Sequence, residues 1–134
     1  MTLIQVKYET ACLKDKNPEV RTKAAIALGK TFSPLAVEPL IISLDDENEE
    51  VCKQAIAALA MIRDDRAIEP LLEKLKTGDW GVRWQIAEAL GYFDDRKASN
   101  ALTDLFCDDE EEAVRTQAAD SLQSIKARMS YRRY

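Results

Sequence analysis

The sequence predicts an all-α solenoid of four helix pairs, eight helices in all, on a repeat of about 31 residues. Three observations predict it. First, Val20, Val51, Val82 and Val114 head four segments that align with one another, at spacings of 31, 31 and 32. The segments read "NPEVRTKAAIALGK", "NEEVCKQAIAALAM", "DWGVRWQIAEALGY" and "EEAVRTQAADSLQS". Second, another series lies between them: "SPLAVEPLIISLDD", "DDRAIEPLLEKLKT" and "DDRKASNALTDLFCDD", with Pro39 and Pro70 again 31 apart. A fixed period with two segments per unit is the mark of stacked helical pairs. Third, apolar residues recur within the segments at helical spacing, and strand-like alternation is absent.

The elements follow in order. Residues 3–14 fill the slot of a partner helix for the first Val-led segment, 18–31. Their match to the repeat is the weakest: Glu9 and Thr10 stand where Leu40–Ile41 and Leu71–Leu72 stand later. An atypical end is what a solenoid requires, because its outer face meets water. The second pair is 35–45 with 48–62, the third 66–76 with 79–92, the fourth 96–107 with 111–128. Ser33, and Asp64 or Asp65, are the expected N-caps of the second series. Pro39 and Pro70 then fall in or just after the first turn, where a missing N–H costs least. Asp45–Asp46 and Asp108–Asp109 precede the next Val-led helix and are expected to help start it.

Each Val-led helix carries one apolar stripe. It runs Val20, Ala24, Ala27, Leu28; Val51, Ala55, Ala58, Leu59; Val82, Ile86, Ala89, Leu90; and Val114, Ala118, Ser121, Leu122. Small residues at two of the four slots let neighbouring helices pack closely. The chain is expected to form one domain, 1–134, with repeats at about 3–31, 33–62, 64–92 and 94–128 and a tail at 129–134. That tail, within "KARMSYRRY", is locally basic and reads as a helix end running out.

Composition narrows the function classes. The 134 residues are 46% hydrophobic and 32% charged, which suits a soluble globular domain with a modest core. A net charge of −5 argues against phosphate neutralisation, so no nucleic-acid partner is expected. No apolar run approaches the roughly 18 residues of a membrane span. Gln5, Lys7 and Glu9 interrupt the first apolar residues, so neither a membrane partner nor a signal-peptide core is expected. Cys12, Cys52 and Cys107 are odd in number, far apart and without a C-x-x-C pattern. They read as reduced thiols of a cytoplasmic protein. Histidine is absent, which removes Ser-His-Asp and Cys-His catalysis and histidine-ligated metals. The acidic runs 45–50 and 108–112 lack calcium-loop spacing, and the four glycines form no phosphate-binding loop. No cofactor and no catalytic residue is expected.

Val20–Arg21, Ala24–Ala25 and Ala27–Leu28–Gly29 recur as Val82–Arg83 and Ala89–Leu90–Gly91, while Val37–Glu38–Pro39–Leu40 recurs as Ile68–Glu69–Pro70–Leu71. With this pattern the chain resembles the HEAT-like repeats grouped around phycobilisome lyases, over about residues 3–126. Cys52 replaces the motif's arginine, Ala60 and Gln123 its glycine, and Asn100 its proline. The resemblance implies a right-handed superhelix with the Val-led helices on its concave side. It also implies that Arg21, Arg83 and Arg115 each reach an aspartate of a neighbouring repeat. Two activities come with the family. Deoxyhypusine hydroxylase chemistry needs His-Glu iron ligands and is excluded for an isolated chain without histidine. A bilin-lyase-like, tetrapyrrole-binding accessory role is the alternative function.

The leading expectation is a non-catalytic scaffold that binds a partner protein or peptide on the concave face. Counted from each valine, positions −2, −1, +2, +3, +6 and +10 lie off the core stripe and differ between repeats. In the third repeat they are Trp80, Gly81, Trp84, Gln85, Glu88 and Tyr92; in the fourth, Glu112, Ala113, Thr116, Gln117, Asp120 and Ser124. The third repeat stands out, because the chain's two tryptophans and Tyr92 fall there along one stripe. Tryptophan and tyrosine are the residues most enriched at binding hot spots. The candidate partner-binding residues are therefore Trp84, Trp80, Gln85, Glu88 and Tyr92, with Met61 and Lys53 of the second repeat. The competing reading packs these rings between repeats as framework. A third expectation is self-association through a terminal repeat, whose end face is a stacking surface.

Overall fold

Asparagines and aspartates in the loops start most of the helices. In a computed structural model that describes residues 2–132, helix α1 (Leu3–Cys12) begins at Thr2. The Thr2 hydroxyl accepts from the Gln5 amide and the Gln5 side chain accepts from the Thr2 amide, which closes a reciprocal cap. Asn17 starts α2 (Pro18–Gly29) and Asn48 starts α4 (Glu49–Ile62), each accepting from the amide two residues on. Asp79 starts α6 (Trp80–Leu90) and Asp95 starts α7 (Arg96–Asp108), each accepting from the amide three residues on. The last helix, α8 (Glu112–Tyr131), follows Glu111 without a side-chain cap.

The two short helices of the second series start differently from a plain helix. Ser33 and Asp64 cap 3₁₀ turns at Pro34–Ala36 and Asp65–Ala67. These widen into α3 (Val37–Ser43) and α5 (Ile68–Leu75). Pro39 and Pro70 therefore sit at the third α-helical residue, still within the first turn. The eight predicted helices are all present, and no strand occurs among the described residues. The far end of α8 departs most, running to Tyr131 where 128 was expected. Nothing in "SIKARMSY" breaks it, since neither glycine nor proline occurs there. Residues 133 and 134 of the expected tail lie outside the described residues.

Contacts divide the chain into two compact units, Met1–Pro70 and Leu71–Tyr134. In the first, α1 packs on α2, α3 on α4, and α2 on α4. Leu28, Val51, Ala55 and Leu59 are fully enclosed, together with Val37 and Leu40 of the partner helix. Each leucine removed from water contributes roughly 1.5–3 kcal/mol. Gly29 lies against Ala58: a Cβ at Gly29 would stand 2.8 Å from the Ala58 Cα. In the second unit, α7 packs on α8 and α6 on α8. Ile86, Ala89, Leu90, Leu102, Val114 and Ala118 form its interior. A Cβ at Gly91 would stand 2.8 Å from the Ser121 Oγ and 2.9 Å from its Cβ. So the glycine nine residues after one valine meets the small residue seven after the next, once in each unit.

Three predicted stripe residues, Val20, Ala27 and Leu122, are only half-buried. Conversely Ala25, Ile56 and Ala87, five residues after their valines, are fully buried although the stripe left them out.

The implied arginine–aspartate pairs form in both units. Arg21 donates from Nε and Nη2 to the two carboxylate oxygens of Asp46 at 2.8 and 3.1 Å. Arg83 does the same to Asp109 at 2.8 and 3.3 Å. Arg115 departs from the expectation. Its Nη1 donates to the main-chain carbonyl of Asp109 at 2.6 Å, inside its own repeat, as Arg21 also does to Asp15 at 2.7 Å. Asp46 and Asp109 do not cap the helices after them. They stand two residues earlier and accept from the Asn48 and Glu111 amides, which shapes the loop. In the repeat register, Cys52 and Thr77 stand where the arginine and the acceptor aspartate stand elsewhere.

Candidate functional site

Helix α6 divides its residues by what each can reach. Val82, Ile86, Ala87, Ala89 and Leu90 go to the interior. Arg83 is committed to Asp109 and to the Gly78 carbonyl at 3.0 Å. What remains on the other side is Trp80, Trp84, Gln85 and Glu88, followed by Tyr92 just past the helix end. These are the residues outside the repeat pattern.

Three contacts hold that side against α8. Gly91 admits Ser121 at van der Waals distance. The buried Ser121 hydroxyl donates to the Ala87 carbonyl at 2.7 Å and accepts from the Gln117 amide group at 3.3 Å. Arg128 donates to the Gly91 carbonyl at 2.7 Å and pairs with Asp94 at 3.1 Å. A guanidinium at that carbonyl also suits the negative end of α6. Arg132 approaches the other Asp94 oxygen at 2.7 Å.

Beside this seam the outward side chains leave two recesses. One lies among Glu88, Tyr92, Gln117, Asp120, Ser124 and Arg128, above the Gly91–Ser121 contact. The other, broader and shallower, lies among Trp84, Glu112, Ala113, Thr116 and Gln117. Gln117 borders both, so they adjoin along one face.

The candidate residues separate on this map. Trp84 is half-buried and walls the shallow recess; Glu88 and Tyr92 wall the deeper one. Trp80 is 52% exposed and Tyr92 42% exposed. Trp80 and the half-buried Gln85 line neither recess. Met61 and Lys53 belong to the first unit. Met61 places its sulfur near Gly29, and Lys53 pairs with Glu49 one turn back at 3.2 Å.

The α8 half of the face comes from residues that a search for unusual types passes over. Gln117, Asp120 and Ser124 are ordinary polar residues, marked only by falling at the outward positions of the fourth repeat. Arg128 lies beyond those positions altogether; its signal is a helical pattern that runs on past them. Among the described residues, no group of three acidic or cysteine side chains is arranged to hold a metal ion. No described helix is long and apolar enough to cross a membrane.

Helix pairs repeated at about 31 residues, with facing small residues between the two Val-led helices of each unit, define an α-solenoid repeat protein. The family model for HEAT repeats matches residues 6–60 and 37–123, and the chain belongs to that family. No curated protein matches the sequence.

Among solved structures, the chain is similar to the complex of CpcE and CpcF of phycocyanin lyase from Nostoc sp. PCC7120. The TM-score is 0.75 at 23% identity, over 91% of this chain and 53% of that one. The chain thus spans about half the length of that protein. An engineered protein gives a TM-score of 0.64 at 24% identity, over 93% of this chain and 63% of that one. A designed armadillo repeat protein gives 0.60 at 19%, over 91% and 69%. At these identities the likeness is one of fold.

Proposed function

We propose that this chain is a non-catalytic interaction scaffold that holds a partner protein or peptide against the α6–α8 face. One observation carries the reading: Trp84 walls an open recess from a position that the repeat framework does not use. A half-buried indole is held in place by its surroundings yet keeps a face for a partner, and rigid aromatic area is what binding hot spots use. The HEAT repeat family supports a scaffold role in general.

The test is a pull-down compared between the wild type and Trp84→Ala. Loss of the captured partner, with a melting temperature lowered by only a few degrees, is the expected result. A collapse of stability would make Trp84 core, and unchanged capture would remove it from the interface.

A second reading has one observation behind it, the fold shared with a complex of phycocyanin lyase subunits. On that reading the chain is a tetrapyrrole-binding accessory protein, and mixing it with a bilin changes the visible absorbance of the pigment. An unchanged spectrum at high protein concentration removes this alternative.

A further inference from the structure

We infer that the α6–α8 face selects an extended partner segment in which an apolar residue and an arginine or lysine stand two positions apart. This deepens the scaffold reading and rests on it. The argument begins with the charges. The face carries three carboxylates, Glu88 and Asp120 at the deeper recess and Glu112 at the shallow one. None of the three makes an ion pair among the described residues. Among the described residues, the cation that lines either recess is Arg128, which shares Asp94 with Arg132 and is seated on the Gly91 carbonyl. Among the described residues, the face thus sets three carboxylates against one guanidinium that already has a partner, a net negative charge beside the Tyr92 ring.

Each nearby group points to the same occupant. An anion would meet like charge, and a purely apolar segment would strip water from carboxylates that gain no partner. A guanidinium or ammonium satisfies them with charge-assisted hydrogen bonds and can lie against the tyrosine face. The recess holds about 160 Å³, several times the roughly 30 Å³ share of one water. That admits the tip of a long side chain.

Spacing supplies the rest of the pattern. Trp84 and Glu88 are one turn apart, a rise of about 6 Å. Side chains two apart on an extended strand are separated by about 6.6 Å. An apolar residue over Trp84 thus brings the basic residue two positions along it to Glu88 and Asp120.

The experiment uses the whole chain and two synthetic peptides, acetyl-Ser-Leu-Ser-Arg-Ser-Leu-Ser-amide, which offers leucine two positions from the arginine on either side, and the same peptide with citrulline for arginine. Citrulline keeps the shape and removes the charge. Amide and indole NMR signals report where each peptide binds. The arginine peptide is expected to move the Trp84 indole signal and the amides of Glu88, Gln117 and Asp120. It should bind about tenfold or more tightly than the citrulline peptide and lose that advantage in Glu88→Gln/Asp120→Asn. Added salt should weaken it.

Equal affinity for the two peptides, no binding of the arginine peptide at millimolar concentration, or signals displaced elsewhere would each overturn the charge selection. The scaffold reading fails separately, when partner capture is the same for wild type and Trp84→Ala.

Discussion

Gly91 and Ser121 make the sharpest case for a single side chain setting a surface. A methyl group at Gly91 would enter the space of the Ser121 hydroxyl and Cβ. Gly91→Ala is expected to lower stability by about 1–3 kcal/mol, the usual range for overpacking a tight contact. Denaturant midpoints check this. Combining it with Ser121→Gly should recover part of the loss, as expected for residues in direct contact. Phe32 offers the opposite case. It adopts a left-handed backbone with φ 53° while its ring is largely exposed, so a side chain stands where glycine fits better. Phe32→Gly is expected to raise stability by about 0.5–1 kcal/mol, read from the same midpoints. Glycine-poor loops hid this turn from sequence reasoning: neither Phe32 nor Arg63, its equivalent 31 residues on, is a residue type that advertises positive φ.

Between elements, the bond that matters most is the guanidinium–carboxylate pair. Arg83 keeps 17% of its side chain exposed and Asp109 only 5%. Removing one member of so enclosed a pair leaves the other uncompensated, at a cost of about 3–5 kcal/mol. Arg83→Met is expected to destabilise by roughly that amount, while Arg83→Met/Asp109→Leu should cost less than the two single changes together. The resemblance read from Val82–Arg83 pointed to this pair, because the arginine recurs at a fixed place in the repeat. It did not foresee Arg115, whose loop carbonyl is a local partner that any arginine in that slot can use. The caps named from the sequence, Ser33 and Asp64, form through their own side chains within two residues, while Asn17, Asn48 and Asp79 cap in the same local way without having been singled out. The 3₁₀ openings of α3 and α5 were not legible, since a 3₁₀ and an α turn differ by one hydrogen-bond register and share their sequence preferences.

For the molecule as a whole, acid is the simplest probe of the paired carboxylates. Burial by itself pushes the Asp109 carboxyl up, but the Arg83 hydrogen bonds, the Glu111 amide and nearby positive charge outweigh it and hold the carboxyl below its ordinary value. A lowered folded-state value means that the unfolded chain binds the proton more readily. The pair's stability is therefore present above the unfolded carboxylate value of about 3.9 and disappears as pH falls through the lower folded one. Asp109→Asn is expected to be less stable than wild type at pH 7, with the gap closing below about pH 4. Thermal melts across that range decide it, and a constant gap would mean that the carboxylate's charge is not what stabilises the loop.

By itself the sequence determined the repeat, its two helices per unit, the caps at Ser33 and Asp64 and most of the buried Val-led stripe. All of these rest on interactions within a few residues or on a period that copies itself along the chain. It also marked Trp84, Glu88 and Tyr92 as residues that the framework does not use. Only the tertiary structure decided that Trp84 and Glu88 look out beside Gln117 and Asp120, that Trp80 and Gln85 line neither recess, and that Arg128 is tied to Asp94 and the Gly91 carbonyl. Those outcomes depend on how closely α6 approaches α8, which the Gly91–Ser121 contact sets. A difference of a few ångströms there opens or closes the recess, while the list of residue types remains the same.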